Sequence, residues 1–210
     1  MASKLYFRFG TMSSSKSLRL LVTAHDFDEK GIPVLVLKPS IDTRDGGNKV
    51  KSRVGLERDA VEVTPDTDIY KAVDVYNRVK LTNSEEPIRW ILVDEAQFLT
   101  EQQIDQLAAI VDRMDINVKC YGLRTDFRTK LFPASKRLFE LADDILEIKS
   151  LCECGRKNAV NARFDADGNI VTDGDQIEVG GDDRYKAICR KCFTDKVRRQ
   201  EMAKKENNEI

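Results

Sequence analysis

The stretch LYFRFGTMSSSKS, residues 5–17, carries the most informative pattern in the chain. Its first five residues are mostly apolar, as in a strand, and they lead through Gly10 into a serine-rich loop and a helix-like pattern. A phosphate-binding loop in this context is written G-x-x-x-x-G-K-[ST], and Gly10, Lys16 and Ser17 occupy the required places. Ser15 stands where the motif has its second glycine, so the stretch predicts a phosphate loop with one departure from the pattern.

Strand-like and helix-like segments alternate from this loop to residue 150. Continuous apolar runs at residues 32–37 and 90–93 are typical of strands buried on both faces. The sequence T-x-x-Q at residues 100–103 has the form of a capping box that opens a helix. The other expected strands are 5–9, 60–63, 117–121 and 145–148, and the other helices are 17–27, 68–79 and 134–142. This rhythm predicts an α/β fold, a RecA-like P-loop core with a mostly parallel sheet and helices on both faces. In the first helix, Leu18, Leu21 and Val22 are expected to face inward, and Leu20 is a further candidate.

Length and composition fit a soluble protein with one good-sized domain and a small appendage. The chain has 210 residues, of which 41% are hydrophobic and 34% charged, and its formal net charge is −1. A nearly neutral chain has no global field that would attract nucleic acid or an anionic membrane, so neither is expected as a stable partner. There is no apolar run of membrane-spanning length and no signal-peptide pattern, so the expected location is the cytoplasm.

An apolar strand that ends in two carboxylates accompanies the phosphate loop. It is the sequence WILVDEAQ at residues 90–97. In P-loop enzymes an acid at the end of a neighbouring strand holds hydrated Mg²⁺, which is the role expected of Asp94. Glu95 is then available as a general base. An isolated Asp-Glu pair is usually a solvated strand end, but its combination with the phosphate loop favours a nucleotide site.

Four of the five cysteines form two late pairs, Cys152-x-Cys154 and Cys189-x-x-Cys192. Such pairs in a cytosolic protein are typical of a tetrahedral zinc site with no open catalytic position, rather than of four unrelated thiols. The fifth, Cys120, is expected to be a buried apolar side chain. We therefore predict three parts: a P-loop, nucleotide-binding core at residues 1–150, a zinc ribbon at 151–193, and a charged tail at 194–210.

Several motifs, in one order, give the chain a wider resemblance. They are GTMSSSKS (10–17), KPSIDTR (38–44), SRVGLE (52–57), ILVDEAQFL (91–99), YGLRTDFRTKLF (121–132), SKRLFELAD (135–143), CECGRKNAVNAR (152–163) and GDQIEVGGDDRYKAICRKC (174–192). With them the chain resembles the cytosolic, zinc-containing thymidine kinases of type II, in a bacterial-like form. The resemblance covers nearly the whole chain, from residue 5 to residue 193.

The resemblance implies an activity in pyrimidine deoxynucleoside salvage. Such an enzyme transfers the γ-phosphoryl group of ATP to the 5′-hydroxyl of deoxythymidine, giving dTMP and ADP, with deoxyuridine as a second substrate. Glu95 would be the catalytic base, and Ser17 and Asp94 would serve Mg²⁺. The residues expected to bind ATP are Gly10, Thr11, Met12, Ser13, Ser14, Ser15, Lys16, Ser17, Asp42, Arg44, Asp94, Glu95, Ala96 and Gln97.

The resemblance also implies how the nucleoside is bound. In the family a "lasso" loop in the zinc-ribbon domain encloses thymine, largely through backbone hydrogen bonds and an aromatic wall. The matching positions are Met12, Leu123, Phe127, Asn161, Val179, Gly180 and Tyr185. A homotetramer with dTTP as feedback inhibitor is expected on the same ground, and Cys152, Cys154, Cys189 and Cys192 would hold structural Zn²⁺.

Two alternatives from other classes remain open at this point. One is a RecA-like ATPase whose zinc ribbon acts on nucleic acid, against which the short, nearly neutral chain argues. The other is an inactive nucleotide-sensing homologue, because Ser15 replaces the loop glycine.

Overall fold

The computed structural model of the chain describes residues 2–42, 48–176 and 184–208. Eleven strands, five α-helices and one 3-10 turn lie within these ranges. In chain order they are β1 (Leu5–Gly10), α1 (Lys16–Glu29), β2 (Val34–Pro39), β3 (Lys49–Lys51), β4 (Glu57–Asp59), β5 (Val61–Val63), α2 (Ile69–Thr82), β6 (Trp90–Val93), the 3-10 turn (Ala96–Phe98), α3 (Glu101–Met114), β7 (Asn117–Gly122), α4 (Pro133–Leu141), β8 (Asp144–Ile148), β9 (Val160–Phe164), β10 (Ile170–Val171), β11 (Tyr185–Ile188) and α5 (Arg190–Asn208).

Six strands form a parallel sheet in the order β5-β2-β6-β7-β1-β8. The predicted α/β class and parallel sheet are therefore confirmed. Because the strands are parallel, the loops that leave their carboxyl ends meet at one edge, which is where ligands bind in such sheets. The phosphate loop after β1 and the carboxylates after β6 both lie at this edge.

Side chains alternate between two cores, one on each face of the sheet. Ile91 and Val93 of β6 pack with α2, α3 and α4, whereas Leu92 packs with α1 on the opposite face. On α1 the buried apolar side chains are Leu20, Leu21 and Ala24, and Val22 is exposed. The expected inward position of Val22 was therefore wrong, because the buried stripe lies on the face marked by residues 20, 21 and 24. Cys120 is fully buried in the larger core, as expected.

The predicted capping box at the start of α3 is confirmed. The Thr100 hydroxyl accepts the Gln103 N–H at 3.1 Å, and the Gln103 side-chain oxygen accepts the Thr100 N–H at 3.1 Å. The buried Gln103 amide also donates to the carbonyls of Thr64 and Thr67, at 2.8 and 3.1 Å. The cap thus ties α3 to the segment before α2.

A second, smaller lobe follows β8. It contains the antiparallel sheet β10-β9-β11 and α5, around a separate small core that includes Val160, Ala162 and Ile188. Helix α5 begins at Arg190 and continues across residue 194, where the charged tail was expected to start. The Gln200 side chain bonds both the N–H and the carbonyl of Ile170, at 2.9 and 3.2 Å, so this part of the tail is fixed to the lobe. None of the helices described in these ranges has the length and apolarity that crossing a bilayer requires.

Candidate functional site

A cavity of about 350 Å³ opens at the carboxyl edge of the parallel sheet. Loops after β1, β2, β6 and β7 supply one wall, and β9 and β11 of the smaller lobe contribute Asn161 and Tyr185 to the other. Fourteen of the residues singled out from the sequence line it: Met12, Ser13, Ser14, Ser15, Lys16, Ser17, Asp42, Asp94, Glu95, Gln97, Leu123, Phe127, Asn161 and Tyr185. Residues separated by up to 173 positions in the chain are thus brought together around a volume suited to small ligands.

Of the other residues expected to bind ATP or the nucleoside, three do not line this cavity and three fall outside the described residues. Gly10 and Thr11 form the root of the phosphate loop, outside the cavity lining. Ala96 is fully buried in the larger core instead of lining the cavity. Arg44, Val179 and Gly180 fall outside the described residues.

Two serines of the phosphate loop have backbone conformations that favour glycine. Ser13 and Ser15 have φ values of 59° and 63°, in the left-handed region that glycine enters at little cost. Ser15 is also the residue that precedes α1, so the loop leads directly into a helix N-terminus, which is a favourable place for an anion. The Lys16 ammonium folds back on the loop and donates to the Thr11 carbonyl at 2.8 Å. The serine therefore adopts the conformation for which the motif uses glycine.

Gly10 is required for a different reason, which is the lack of space for a side chain. A β-carbon there would lie 2.6 Å from the carbonyl oxygen of Ile148 in β8 and would also overlap the Ser14 side chain. The loop and the neighbouring strand therefore approach too closely for any side chain at this position.

Asp94 lies at the end of β6 and is only 4% exposed. Its burial, together with the charge of Glu95, raises the pKa of the carboxyl to about 7, and the Ser17 hydroxyl and the Lys16 charge act in the opposite direction. One carboxylate oxygen, Oδ1, is buried without a hydrogen-bond partner. Such an oxygen is costly unless something satisfies it, and a cation held between Asp94 and Ser17 would do so.

Glu95 is oriented by Gln97, two residues further along. The Gln97 amide nitrogen donates to Glu95 Oε2 at 2.6 Å, and the Gln97 oxygen accepts the Leu123 N–H at 2.8 Å. The backbone bond fixes which end of the amide points to Glu95. A β-carbon on Gly122 would lie 2.8 Å from the Gln97 oxygen, so the glycine gives this amide its space.

Phe127 forms an apolar wall of the cavity, together with Leu123 and Met12. Its ring is 1% exposed, and the guanidinium of Arg163 lies 4.0 Å from the ring centroid, a cation–π contact between the two lobes. Tyr185 reaches the cavity from β11. The expected apolar and aromatic positions are therefore together on one side of the cavity.

Asp126 is a residue of the site that sequence reasoning missed. Its Oδ1 accepts the N–H groups of Arg128 and Lys130, each at 2.9 Å, and its Oδ2 accepts the Gln176 amide at 3.0 Å. The buried carboxylate thus fixes the turn that carries Phe127 and links it to the smaller lobe. Its place directly before Phe127 in the motif was the available signal.

Basic side chains beside the phosphate loop were also missed. Lys51 and Arg53, at and after the end of β3, line the cavity within the SRVGLE region. Asp42 lies at the same side, almost fully buried, with its carboxylate 3.4 Å from the Lys38 ammonium. This end of the cavity therefore has more basic side chains than the loop lysine alone.

The four late cysteines converge at the base of the smaller lobe. Their sulfur atoms all lie within 4.8 Å of one another, and those of Cys154 and Cys189 are 3.6 Å apart. Thiolates about 2.3 Å from a tetrahedral zinc ion are roughly 3.8 Å apart, so the spacing fits. The Cys192 N–H lies 3.4 Å from the Cys189 sulfur, as a donor to a thiolate would. The cluster can hold a metal ion with no open position.

Known proteins resemble this chain over most of its length. A family model described as thymidine kinase matches residues 3–193. A thymidine kinase of Agrobacterium fabrum is 43% identical over 189 residues, which are 90% of this chain and 95% of the relative. A thymidine kinase of Coxiella burnetii is 41% identical over 191 residues, 91% of this chain and 95% of the relative. One from Vibrio cholerae is 40% identical over 197 residues, 94% of this chain and 100% of the relative.

Proposed function

The chain belongs to the thymidine kinase family, and from this premise we propose that it phosphorylates thymidine with ATP. The γ-phosphoryl group passes to the 5′-hydroxyl, giving dTMP and ADP, and deoxyuridine is a second substrate. The observation that carries the assignment is the Gln97-oriented carboxylate of Glu95, which lines one cavity with the phosphate loop and the Phe127 wall.

Glu95 is the general base of the proposed reaction. The 5′-oxygen forms a bond to the γ-phosphorus, and the bond from that phosphorus to the β,γ-bridging oxygen breaks. ADP leaves with the electron pair, and the hydroxyl proton passes to the Glu95 carboxylate. The Gln97 amide holds that carboxylate in place but does not itself exchange a proton.

The ATP phosphates lie on the loop of residues 10–17 in this proposal. N–H groups of the loop bind phosphate oxygens, and the Lys16 ammonium leaves Thr11 to bind the outer phosphates. Asp94 and Ser17 hold Mg²⁺, which neutralises charge on the transferred group. The unpartnered Oδ1 of Asp94 supports this role. Asp42 and Arg44 complete the phosphate end, Arg44 on the strength of the motif alone.

Thymine lies against Phe127, between the two lobes. Met12, Leu123 and Tyr185 surround this side of the cavity, and Asn161 lies at the same end. Val179 and Gly180 are assigned to the base by the family motif alone. A site that hydrogen-bonds a pyrimidine edge rejects bases that leave its groups unpaired.

Further parts of the proposal depend on the family resemblance. Cys152, Cys154, Cys189 and Cys192 hold structural Zn²⁺, which the clustered sulfur atoms support. The enzyme is a cytoplasmic homotetramer and dTTP is its feedback inhibitor. Family membership favours this kinase over a nucleic-acid-dependent ATPase. The left-handed conformation of Ser15, which glycine also adopts readily, argues against an inactive sensor.

The first experiment is a dTMP assay with zinc-loaded protein, ATP, Mg²⁺ and thymidine. We expect Glu95→Gln to lower kcat by about 10²- to 10⁴-fold, because the variant cannot accept the proton, while ATP binding is retained. Glu101→Gln, in the exposed first turn of α3, is the control and should match the wild-type protein. Absence of dTMP from the wild-type protein would refute the function, and ATP hydrolysis stimulated by single-stranded DNA would favour the ATPase alternative.

A further inference from the structure

Asn161 of the smaller lobe connects two loops of the larger one. Its side-chain oxygen accepts the Met12 N–H of the phosphate loop at 2.8 Å. Its side-chain nitrogen donates to the Thr125 carbonyl, two residues before Phe127, at 3.2 Å. Asn161 is 4% exposed, so both bonds are shielded from water and neither is easily replaced.

A second asparagine, three residues earlier, reaches the same loop through a serine. The Asn158 amide nitrogen donates to the Ser150 hydroxyl at 3.1 Å, and to the Leu151 carbonyl at 3.0 Å. The Ser150 hydroxyl shares a hydrogen bond of 2.9 Å with the Thr11 hydroxyl. Two successive residues at the start of the phosphate loop are therefore tied to the segment that follows the first cysteine pair.

The hydrogen bonds of Asn161 within the protein give it a role that needs no ligand. A carboxamide offers two N–H donors and an oxygen with two lone pairs, and here one N–H and one lone pair are bonded to the main chain of two different loops. The side chain thus sets the separation between the loop that binds the phosphates and the loop that carries the base wall. In a transfer between two bound substrates, this separation determines how the attacking oxygen meets the phosphorus.

We propose that Asn161 is a positioning residue that aligns the phosphate loop with the nucleoside wall. This inference rests on the proposed function. It adds a role in the transfer step for a side chain of the smaller lobe. It implies that loss of the amide affects kcat. A residue that bound the pyrimidine directly would instead affect the KM for thymidine and the choice between thymidine and deoxyuridine.

The test is steady-state kinetics of Asn161→Ala with thymidine and deoxyuridine, after zinc content and melting temperature have been measured. Misplacement by about 1 Å can cost roughly 100-fold, so we expect kcat to fall by about 10- to 100-fold. The thymidine KM and the ratio of kcat/KM for the two nucleosides should remain within about threefold of the wild-type values. Asn169→Ala is the matched control, because Asn169 lies in an exposed turn of the same lobe and should leave all parameters unchanged.

Asn161→Asp keeps the proposal testable if the alanine variant does not fold. Aspartate can still accept the Met12 N–H but cannot donate to Thr125 when ionised, so kcat should again fall without a change in nucleoside preference. A normal kcat with a raised thymidine KM or an altered preference would overturn the inference in either variant, and so would unchanged kinetics. Failure of the wild-type protein to make dTMP would refute the proposed function, which separates the two results.

Discussion

Ser15 shows how a non-glycine residue can occupy a glycine position of the phosphate loop. Its φ of 63° and ψ of 29° lie in the left-handed region, where an L residue costs about 1–2 kcal/mol. Glycine would remove this cost, but it would also give the unfolded chain more freedom, worth about 0.5–1 kcal/mol. The second effect offsets about half of the first, so the serine is compatible with a stable loop.

Ser15→Gly should therefore leave the enzyme active and change little else. We expect the free energy of unfolding to change by less than about 1 kcal/mol, and the KM for ATP to stay the same or fall, because the loop reaches its bound shape more easily. Urea unfolding and ATP-dependent dTMP formation would measure the two effects. Ser15→Ala retains the β-carbon and serves as the control. Activity in the glycine variant alone would show that the natural loop is damaged.

The part of the site that the sequence could predict consists of motif residues at the ends of strands. Lys16, Asp94 and Glu95 follow strands whose carboxyl ends meet, so their convergence follows from the parallel sheet. The contact between Asp126 and Gln176 could not be predicted in this way, since it joins two loops fifty positions apart through side chains alone. The burial of the Ala96 side chain could not be predicted either, because proximity to the motif does not fix on which side of the turn a side chain lies.

At the scale of the elements, the end of β7 lies so close to the turn after β6 that position 122 requires glycine. Gly122→Ala would place a β-carbon 2.8 Å from the Gln97 oxygen and 3.2 Å from the Gln97 N–H nitrogen. We expect kcat to fall because Gln97 can no longer hold Glu95, while zinc content stays the same. A double variant with Gln97→Ala should be no worse than Gln97→Ala alone, since both changes remove one interaction. Additive losses in this cycle would contradict the link.

Elements with a strong apolar signal were predicted well, and short or charged ones were not. The runs that became β2 and β6 are buried on both faces, so their composition alone identifies them. Strands β3 and β4 have three residues each, and most of those residues are charged, which left no pattern to recognise. Helix α5 lacks an apolar stripe along much of its length, and contacts such as that of Gln200 hold it on the lobe.

At the scale of the whole molecule, the division into two lobes follows the location of the cores. The cores of the parallel sheet and the core of the smaller lobe consist of separate sets of residues. The change of composition near residue 150 is the ground on which a domain boundary is placed there, whereas the strand order could be obtained only from the three-dimensional packing. The cavity lies where the lobes meet, so its shape depends on both of them.

Removal of zinc should therefore abolish activity without unfolding the parallel-sheet domain. The four cysteines bring the first and last segments of the smaller lobe together at one point. Because the core of this lobe is small, the lobe should lose its order without the metal. Asn158 and Asn161 would then no longer support the phosphate loop, nor Arg163 the ring of Phe127. We expect thymidine binding to be lost, ATP binding to weaken and most far-UV circular dichroism to remain.

Cys192→Ser should reproduce this result, whereas Cys120→Ala, in the larger core, should retain zinc. Full dTMP formation by zinc-free protein would contradict this prediction, because it would show that the active site does not depend on the metal.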